Sequence, residues 1–142
     1  MKYVLSLLLT ICFFSSSAKS NEVGKDIDVS HYEIHLNEFN IDEKSLDASA
    51  TISLTALNDI ETIELNLRSL TVASGISEEI NVEEFSQKDD VLTISLASTL
   101  SKDSEVSLTI NYEGKTFNEN WGGVHWSADY VYNLGVGFDS QP

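Results

Sequence analysis

The feature that most restricts how this chain can fold is a strict alternation of apolar and polar residues. In the stretch LDASATISLTA, every second residue from Leu46 to Ala56 is apolar, and the residues between them are Asp, Ser or Thr. A β-strand places all the apolar side chains of such a run on one face, whereas a helix would scatter them around its axis. The run therefore predicts a strand that is buried on one face and solvated on the other.

The same period of two recurs along the chain, and no segment has a helical period. Clusters rich in Asn, Asp and Ser, such as NIDEKS and SKDSE, separate the alternating segments and favour turns, because these side chains bond nearby backbone groups. No Pro-rich or Gly/Ser-rich linker divides the chain. We therefore expect one all-β domain, an antiparallel β-sandwich of about seven to nine strands. The further alternating segments are residues 31–37, 62–67, 91–96 and 106–112, with weaker ones at 70–76 and 80–85.

The first eighteen residues have the composition of a secretory signal peptide. Lys2 supplies a positive charge, residues 3–14 are mostly apolar, and Ser16 and Ala18 are the small residues that cleavage after Ala18 requires. The apolar run is shorter than the roughly 20 residues that a membrane-spanning helix needs, so we predict no membrane span. We expect residues 1–18 to be removed, which leaves a secreted or periplasmic domain at residues 19–142.

Composition narrows the choice of partner. The formal net charge of −15 would repel phosphate backbones and anionic lipids, so we predict no nucleic-acid partner. Cys12 is the only cysteine and lies in the predicted signal peptide, with Ile11 where a lipidation motif would have a small residue. The mature domain must then be held together by packing and not by disulfides.

The motif HYEIH is the strongest candidate for a metal site, and its context argues against one. A zinc peptidase carries H-E-x-x-H on a helix, where both imidazoles lie on one face a turn apart. The alternation places His31 and His35 on a strand, where residues four apart are separated by about 13 Å. Zinc–nitrogen bonds are about 2 Å long. The two histidines therefore cannot ligate one ion, and we predict neither a metal ligand nor a catalytic residue in this chain.

Aromatic residues are concentrated near the C-terminus. Trp121, Trp126, Tyr130 and Tyr132 fall within twelve residues. We expect these rings to fill the core or an interface with another domain, since each can bury a large apolar area. The alternative is an exposed platform that stacks on sugar rings, which would make the chain a free-standing binding module of the carbohydrate-binding or adhesin type.

Read in order, the segments resemble the N-terminal β-domain of the aminopeptidase N family of zinc metallo-aminopeptidases. The similar stretches are DVSHYEIHL, IETIELNLRSLTV, LTISLASTLSKDSEVSLTINYEGK, and GGVHW followed by YVYNLGVGF. Two departures from the family pattern lie at turn or bulge positions. Ala48 or Ala50 stands where the family has a glycine, and Asp103 with Ser104 replaces another.

The resemblance implies a non-catalytic, saddle-like domain without a cofactor of its own. Such a domain covers one side of an active-site cleft and helps to hold the N-terminus of a peptide substrate. Zinc and H-E-x-x-H belong to a catalytic domain that would follow residue 142, so the resemblance implies a chain that is incomplete there and inactive alone. Gln141 is the residue nearest in type to the family's substrate-contacting residue, with Ser140 or Asp139 as the alternative registers. An inactive relative kept as a scaffold is a further possibility.

Overall fold

The computed structural model describes residues 22–119 and 122–136, and this part of the chain consists of β-strands and turns. Ten strands are present, of which nine are longer than two residues, so the all-β prediction is confirmed. Every predicted strand is found. The strands are β1 Ile27–Asn40, β2 Ser45–Ala56, β3 Ile60–Asn66, β4 Thr71–Ile76, β5 Val82–Lys88, β6 Val91–Leu100, β7 Glu105–Lys115, β8 Asn118–Glu119, β9 Gly122–Trp126 and β10 Val131–Val136.

The strands form three antiparallel sheets. Sheet A has the order β1-β2-β7-β4, sheet B the order β3-β6-β5, and sheet C the order β10-β9-β8. Sheets A and B share one hydrophobic core, which is the arrangement of a β-sandwich.

The alternation in the sequence determines which residues enter that core. On β2 the apolar series from Leu46 to Ala56 is buried throughout, with exposures of 0–8%. On the neighbouring strand β7, Leu108 is fully buried. On the facing sheet B, the fully buried residues are Ile63, Leu92 and Ile94. Full burial of such a side chain contributes about 1.5–3 kcal/mol, so these facing series supply much of the stability of the sandwich.

Strand β1 keeps its apolar residues on one face only with the help of two bulges. Its pairing with β2 shifts register between Val29 and His31 and again between Leu36 and Glu38. Each shift leaves one extra residue on β1, Ser30 and Asn37, and restores the inward direction of the apolar series. The sequence carries the same shifts as steps of three between apolar residues, from Val29 to Tyr32 and from Leu36 to Phe39, a signal that a period of two alone does not capture.

Several turns are closed by non-glycine residues in the left-handed region. Asp89 and Asp90, with φ of 51° and 65°, form the two-residue connection between β5 and β6. Asp103 has φ of 64° in the turn before β7, which is where the family resemblance expected a glycine. Asp adopts this conformation more readily than most residues because its short side chain can bond locally. The departure at Asp103 therefore preserves the glycine-like backbone.

Sheets A and B meet most closely where β4 lies beside β5. The ring of Phe85 lies directly over Gly75, where there is no room for a Cβ atom. Beside them, the Gln87 side chain bonds the backbone of the neighbouring strand: Nε2 donates to the Leu70 carbonyl at 2.8 Å, and Oε1 accepts from the Val72 N–H at 3.0 Å. A side-chain amide thus makes the pair of bonds that an adjacent strand would make.

Candidate docking surface

A row of exposed apolar side chains lies along β1, and we call it the β1 patch. Its members are more than two-fifths exposed: Tyr32, Ile34, Leu36 and Phe39. Ile41, in the turn that follows, is 46% exposed and extends the row. Part of the Tyr32 ring is still covered, and this burial raises the pKa of its hydroxyl group above the ordinary value.

The β1 patch lies on the core face of sheet A, not on its solvated face. Tyr32 is paired with Ile52 on β2, yet Tyr32 is 52% exposed and Ile52 is 2% exposed. Sheet A has four strands and sheet B has three. The described part of sheet B therefore covers β2 and β7 and leaves β1 uncovered from Tyr32 onwards.

An apolar row of this kind marks an interaction surface more often than an accident of packing. Large side chains that each remain about half exposed make a contiguous patch on the order of a few hundred Å², which soluble monomers seldom display without a function. Two of the four members of the β1 patch are aromatic, and aromatic residues are enriched in protein–protein contacts.

The aromatic hairpin of β9 and β10 continues the β1 patch at one end. The rings of Phe39 and Trp126 meet edge to face with their centres 5.9 Å apart. Trp126 is half-buried, and its indole N–H donates to the Thr116 hydroxyl at 2.6 Å. Tyr130 and Tyr132 are 61% and 44% exposed, so these two rings do not fill the core, and the expected interface with another domain stays a prediction.

The outer aromatic residues form a small stack of their own. The His125 and Tyr132 rings are stacked at 5.1 Å, and Tyr130 lies 5.9 Å from Tyr132. This stack is a flat exposed surface of the kind that either a partner domain or a planar ligand can cover. Trp121, the fourth aromatic residue of the prediction, lies outside the described residues.

The other residues singled out in the sequence do not form a catalytic site. His31 and His35 lie on the outer face of β1, and His35 Nε2 is 3.1 Å from Glu33 Oε1 at the surface. Within residues 22–119 and 122–136, no three His, Cys, Asp or Glu side chains come together in a way that could hold a metal ion. Gln141, Ser140, Asp139 and the predicted signal peptide lie outside the described residues.

A recess at one end of sheet A is lined by more acidic than basic residues. It has a volume of about 530 Å³. Glu38, Glu43, Asp47 and Glu113 line it together with Lys115. Ser45 and Thr71 also line the recess, and among the described residues neither hydroxyl is hydrogen-bonded to a carboxylate, so we assign the recess no catalytic role. Among the described residues, no helix is long and apolar enough to cross a membrane.

Sequence reasoning missed that the apolar face of β1 is exposed. The alternation from Tyr32 to Leu36 is the same as that on β2, and it predicts an apolar face without telling what covers that face. One general rule applies to such a strand. A sheet is covered only over the width of the sheet that packs on it, so uncovered apolar residues are expected on an outer strand of the wider sheet.

Comparison with known proteins agrees with this geometry. Residues 28–135 match the family described as the Peptidase M1 N-terminal domain. No match was found among the curated proteins.

Similar solved structures include a mutant of a two-domain M1 zinc metallopeptidase bound to L-arginine, at 22% identity and a TM-score of 0.68 over 80% of this chain and 27% of that one. Another is an M1 zinc metallopeptidase mutant from Deinococcus radiodurans bound to a Tyr-Ser-Ala substrate, at 22% identity and a TM-score of 0.66 over 78% of this chain and 26% of that one. This chain therefore spans about a quarter of the length of those proteins. The family match confirms the resemblance drawn from the sequence: the chain belongs to the Peptidase M1 N-terminal domain family.

Proposed function

We propose that this chain is the non-catalytic N-terminal domain of a secreted or periplasmic zinc aminopeptidase. In that role it covers one side of the active-site cleft and helps to hold the N-terminus of a peptide substrate. The observation that carries the proposal is the β1 patch, an uncovered apolar surface on a domain of this family. In a domain without a partner, a row of half-exposed Tyr, Ile and Leu side chains would add no buried apolar area and no stability.

The proposed partner is a catalytic domain of the M1 type. The similar solved structures are described as zinc metallopeptidases, and one of them holds a tripeptide substrate. The described residues of this chain offer no cluster for zinc, so the ion would be held by the partner domain. We derive no chemical step from this domain. Its part would be to orient peptide and to exclude water from one side of the cleft.

The proposed contact with substrate falls to Gln141. Its side-chain amide has two donors and a carbonyl acceptor, which suits it to the free amino terminus and first carbonyl of a peptide. Ser140 and Asp139 are the alternatives if the register differs. The predicted signal peptide at residues 1–18 supports secretion or export as the location.

The test is to recover the downstream gene and measure both binding and activity. We expect an open reading frame after the codon for Pro142 that encodes H-E-x-x-H. With that domain produced separately, binding of this chain should be weakened by Leu36→Glu, which introduces a charge into the apolar contact. Ile76→Glu on β4 is the matched control, since Ile76 is an exposed Ile on the opposite edge strand of the same sheet.

Three results would contradict the proposal. A stop codon directly after Pro142 would leave the chain without its partner domain. Equal binding of the Leu36→Glu and Ile76→Glu variants to the catalytic domain would remove the β1 patch from the interface. Cleavage of aminoacyl anilides by this chain alone would show that the domain is itself catalytic.

The runner-up function is a free-standing sugar-binding or adhesin-like sandwich, and the exposed stack of His125, Tyr130 and Tyr132 is the observation that favours it. Calorimetric titration with oligosaccharides distinguishes the two. Saturable binding that Tyr132→Ala abolishes would favour the sugar platform. Trp126 is less suited to that role, because its ring is engaged by Phe39 and its N–H by Thr116.

A further inference from the structure

The outer edges of the two large sheets are not equally protected. On β4, the Gln87 amide occupies the Val72 N–H and the Leu70 carbonyl just before the strand. On β3, the turn that precedes β1 lies alongside, with Gly24 close to the Glu64 carbonyl. The outer edge of β1 is different: in the described part of the chain, β1 is bonded to β2 on one side and to no strand on the other.

Strand β1 lacks several of the devices that block an exposed edge. Natural edge strands carry charged residues, above all Lys, or Pro, are kept very short, or are interrupted by bulges. β1 is 14 residues long and its sequence, IDVSHYEIHLNEFN, contains neither Lys nor Pro. The two bulges interrupt the edge, but the segment between them, from His31 to Leu36, is paired with β2 without irregularity. Six consecutive residues of regular strand are therefore open to pairing.

We propose that a second copy of this chain pairs antiparallel with this segment, about a twofold axis at Ile34. The inward and outward faces of the two strands match only if the axis passes through a residue and not between two residues. With the axis at Ile34, Tyr32 lies opposite Leu36 of the second copy, and Ile34 lies opposite itself. On the outer face, Glu33 then lies opposite His35 of the second copy, and the reverse pair forms by symmetry.

Charge selects this register over its neighbours. An axis at Glu33 would place two carboxylates directly opposite each other, which destabilises an antiparallel pair. An axis at His35 would place the two imidazoles opposite each other. Axes at Tyr32 and at Ile34 both oppose Glu33 to a histidine on the outer face. The axis at Ile34 is favoured because it keeps all the apolar pairs within the regular segment, whereas the axis at Tyr32 places Ile34 opposite the bulge residue Ser30.

Pairing along this edge would cover the flanks of the β1 patch. The side chains of an outer strand have a neighbouring strand on one side only, which is one reason why Tyr32, Ile34 and Leu36 are more than half exposed. A second strand about 4.8 Å away would fill the other side. The interface is at the small end of specific contacts, so we expect a dissociation constant on the order of 10–100 µM.

This dimer is independent of the proposed function. It uses the in-plane edge of β1, whereas a catalytic domain would lie against the face of the sheet. Measurements on this chain alone therefore test the dimer without reference to peptidase activity.

The first test is sedimentation equilibrium of the purified protein over a range of concentrations. We expect a monomer–dimer equilibrium that Ile34→Lys weakens about tenfold or more, because two ammonium groups then face each other across the axis. Ile76→Lys on β4 is the matched control and should leave the equilibrium unchanged. Both positions are more than half exposed, so circular dichroism should show both variants folded. A protein that stays monomeric at roughly 500 µM, or equal effects of the two variants, would overturn the proposal.

The second test reads the register directly by cross-linking in a Cys12→Ser background. Residues directly opposite in an antiparallel pair have Cα atoms about 4.5–5.5 Å apart, within the range of a disulfide. Ile34→Cys should therefore form an intermolecular disulfide under mild oxidation at least about ten times faster than Ile76→Cys. A mixture of Tyr32→Cys and Leu36→Cys should cross-link faster than either alone. Cross-linking of Ile34→Cys that is no faster than that of Ile76→Cys would refute the axis.

Discussion

Replacing Gly75 by alanine should destabilise this protein, although alanine ordinarily stabilises a strand relative to glycine. Gly75 is on β4 of sheet A, and the ring that lies over it belongs to Phe85 of β5 in sheet B. A Cβ atom at residue 75 would overlap Cζ of that ring and would lie 3.0 and 3.1 Å from its Cε atoms. The φ angle of Gly75 is not in the left-handed region, so the backbone itself accepts alanine. The steric effect is therefore isolated from backbone strain.

The magnitude follows from what the Phe85 ring must do. Phe85 is half-buried and packs against the core, so moving it aside loses part of that packing. Extra methyl groups forced into packed sites cost about 1–3 kcal/mol. Without the ring, the same substitution should stabilise the protein by about 0.5–1 kcal/mol, because alanine loses less backbone entropy than glycine on folding. The sign of the effect should thus reverse when Phe85 is absent, with a coupling energy of about 1.5–4 kcal/mol.

The assay is a double-mutant cycle measured by urea unfolding. The four proteins are the wild type, Gly75→Ala, Phe85→Ala and the combined variant, and the double variant is the control for the single one. We expect Phe85→Ala alone to cost somewhat less than the 3–5 kcal/mol of a fully buried Phe, since the ring is only half-buried. If the two substitutions add within about 0.5 kcal/mol, or if Gly75→Ala stabilises the wild type, the reasoning is refuted.

Three further predictions concern stability. Gln87→Ala should lower the free energy of unfolding by about 1–2 kcal/mol, because the two hydrogen bonds from its side chain to the backbone at the edge of β4 are lost. The control, Ser86→Ala, should change the free energy of unfolding by less than about 0.5 kcal/mol. Asp103→Gly should raise the melting temperature by a few degrees, because it relieves a left-handed Asp. Asp42→Gly, at a residue whose own φ is not positive, should instead lower it. Burial raises the pKa of Tyr112 above its unfolded value of about 10, so its contribution to stability is fully present below pH 10 and is lost as the pH rises through the raised pKa. Tyr112→Phe should reduce that alkaline loss in a series of melts at different pH values.

Period two predicted the fold well, because burial on one face is enforced at every second residue. The strands at Leu46 to Ala56 and around Leu108 follow directly from the pattern. The bulges at Ser30 and Asn37 were missed because a period of two was followed alone, although the apolar positions step by three at both places, from Val29 to Tyr32 and from Leu36 to Phe39. The sequence could not show the side-chain amide of Gln87 taking the place of a strand, because that contact joins elements that are paired in different sheets.

The candidate site was predictable only in part. The aromatic hairpin was identified from composition. Within it, Trp126 is half-buried because it contacts Thr116 and Phe39, whereas Tyr130 and Tyr132 are exposed, and the sequence does not show these contacts. The exclusion of a two-histidine metal site relied on strand geometry, and His35 indeed points to the surface beside Glu33. Gln141 lies outside the described residues and stays a prediction.

The contrast between neighbouring strands explains why substitutions on β1 can test association separately from folding. Ile34 and Ala50 face the same way and are directly paired, yet Ile34 is 57% exposed and Ala50 is 6% exposed. The alanine at residue 50 belongs to the core, so its replacement acts on folding. The isoleucine beside it contributes little buried area to the described domain, so its replacement by a polar residue acts on what the domain contacts. A substitution at Ile34 that leaves the melting temperature unchanged and alters association therefore separates the two roles, which the sequence pattern alone cannot do.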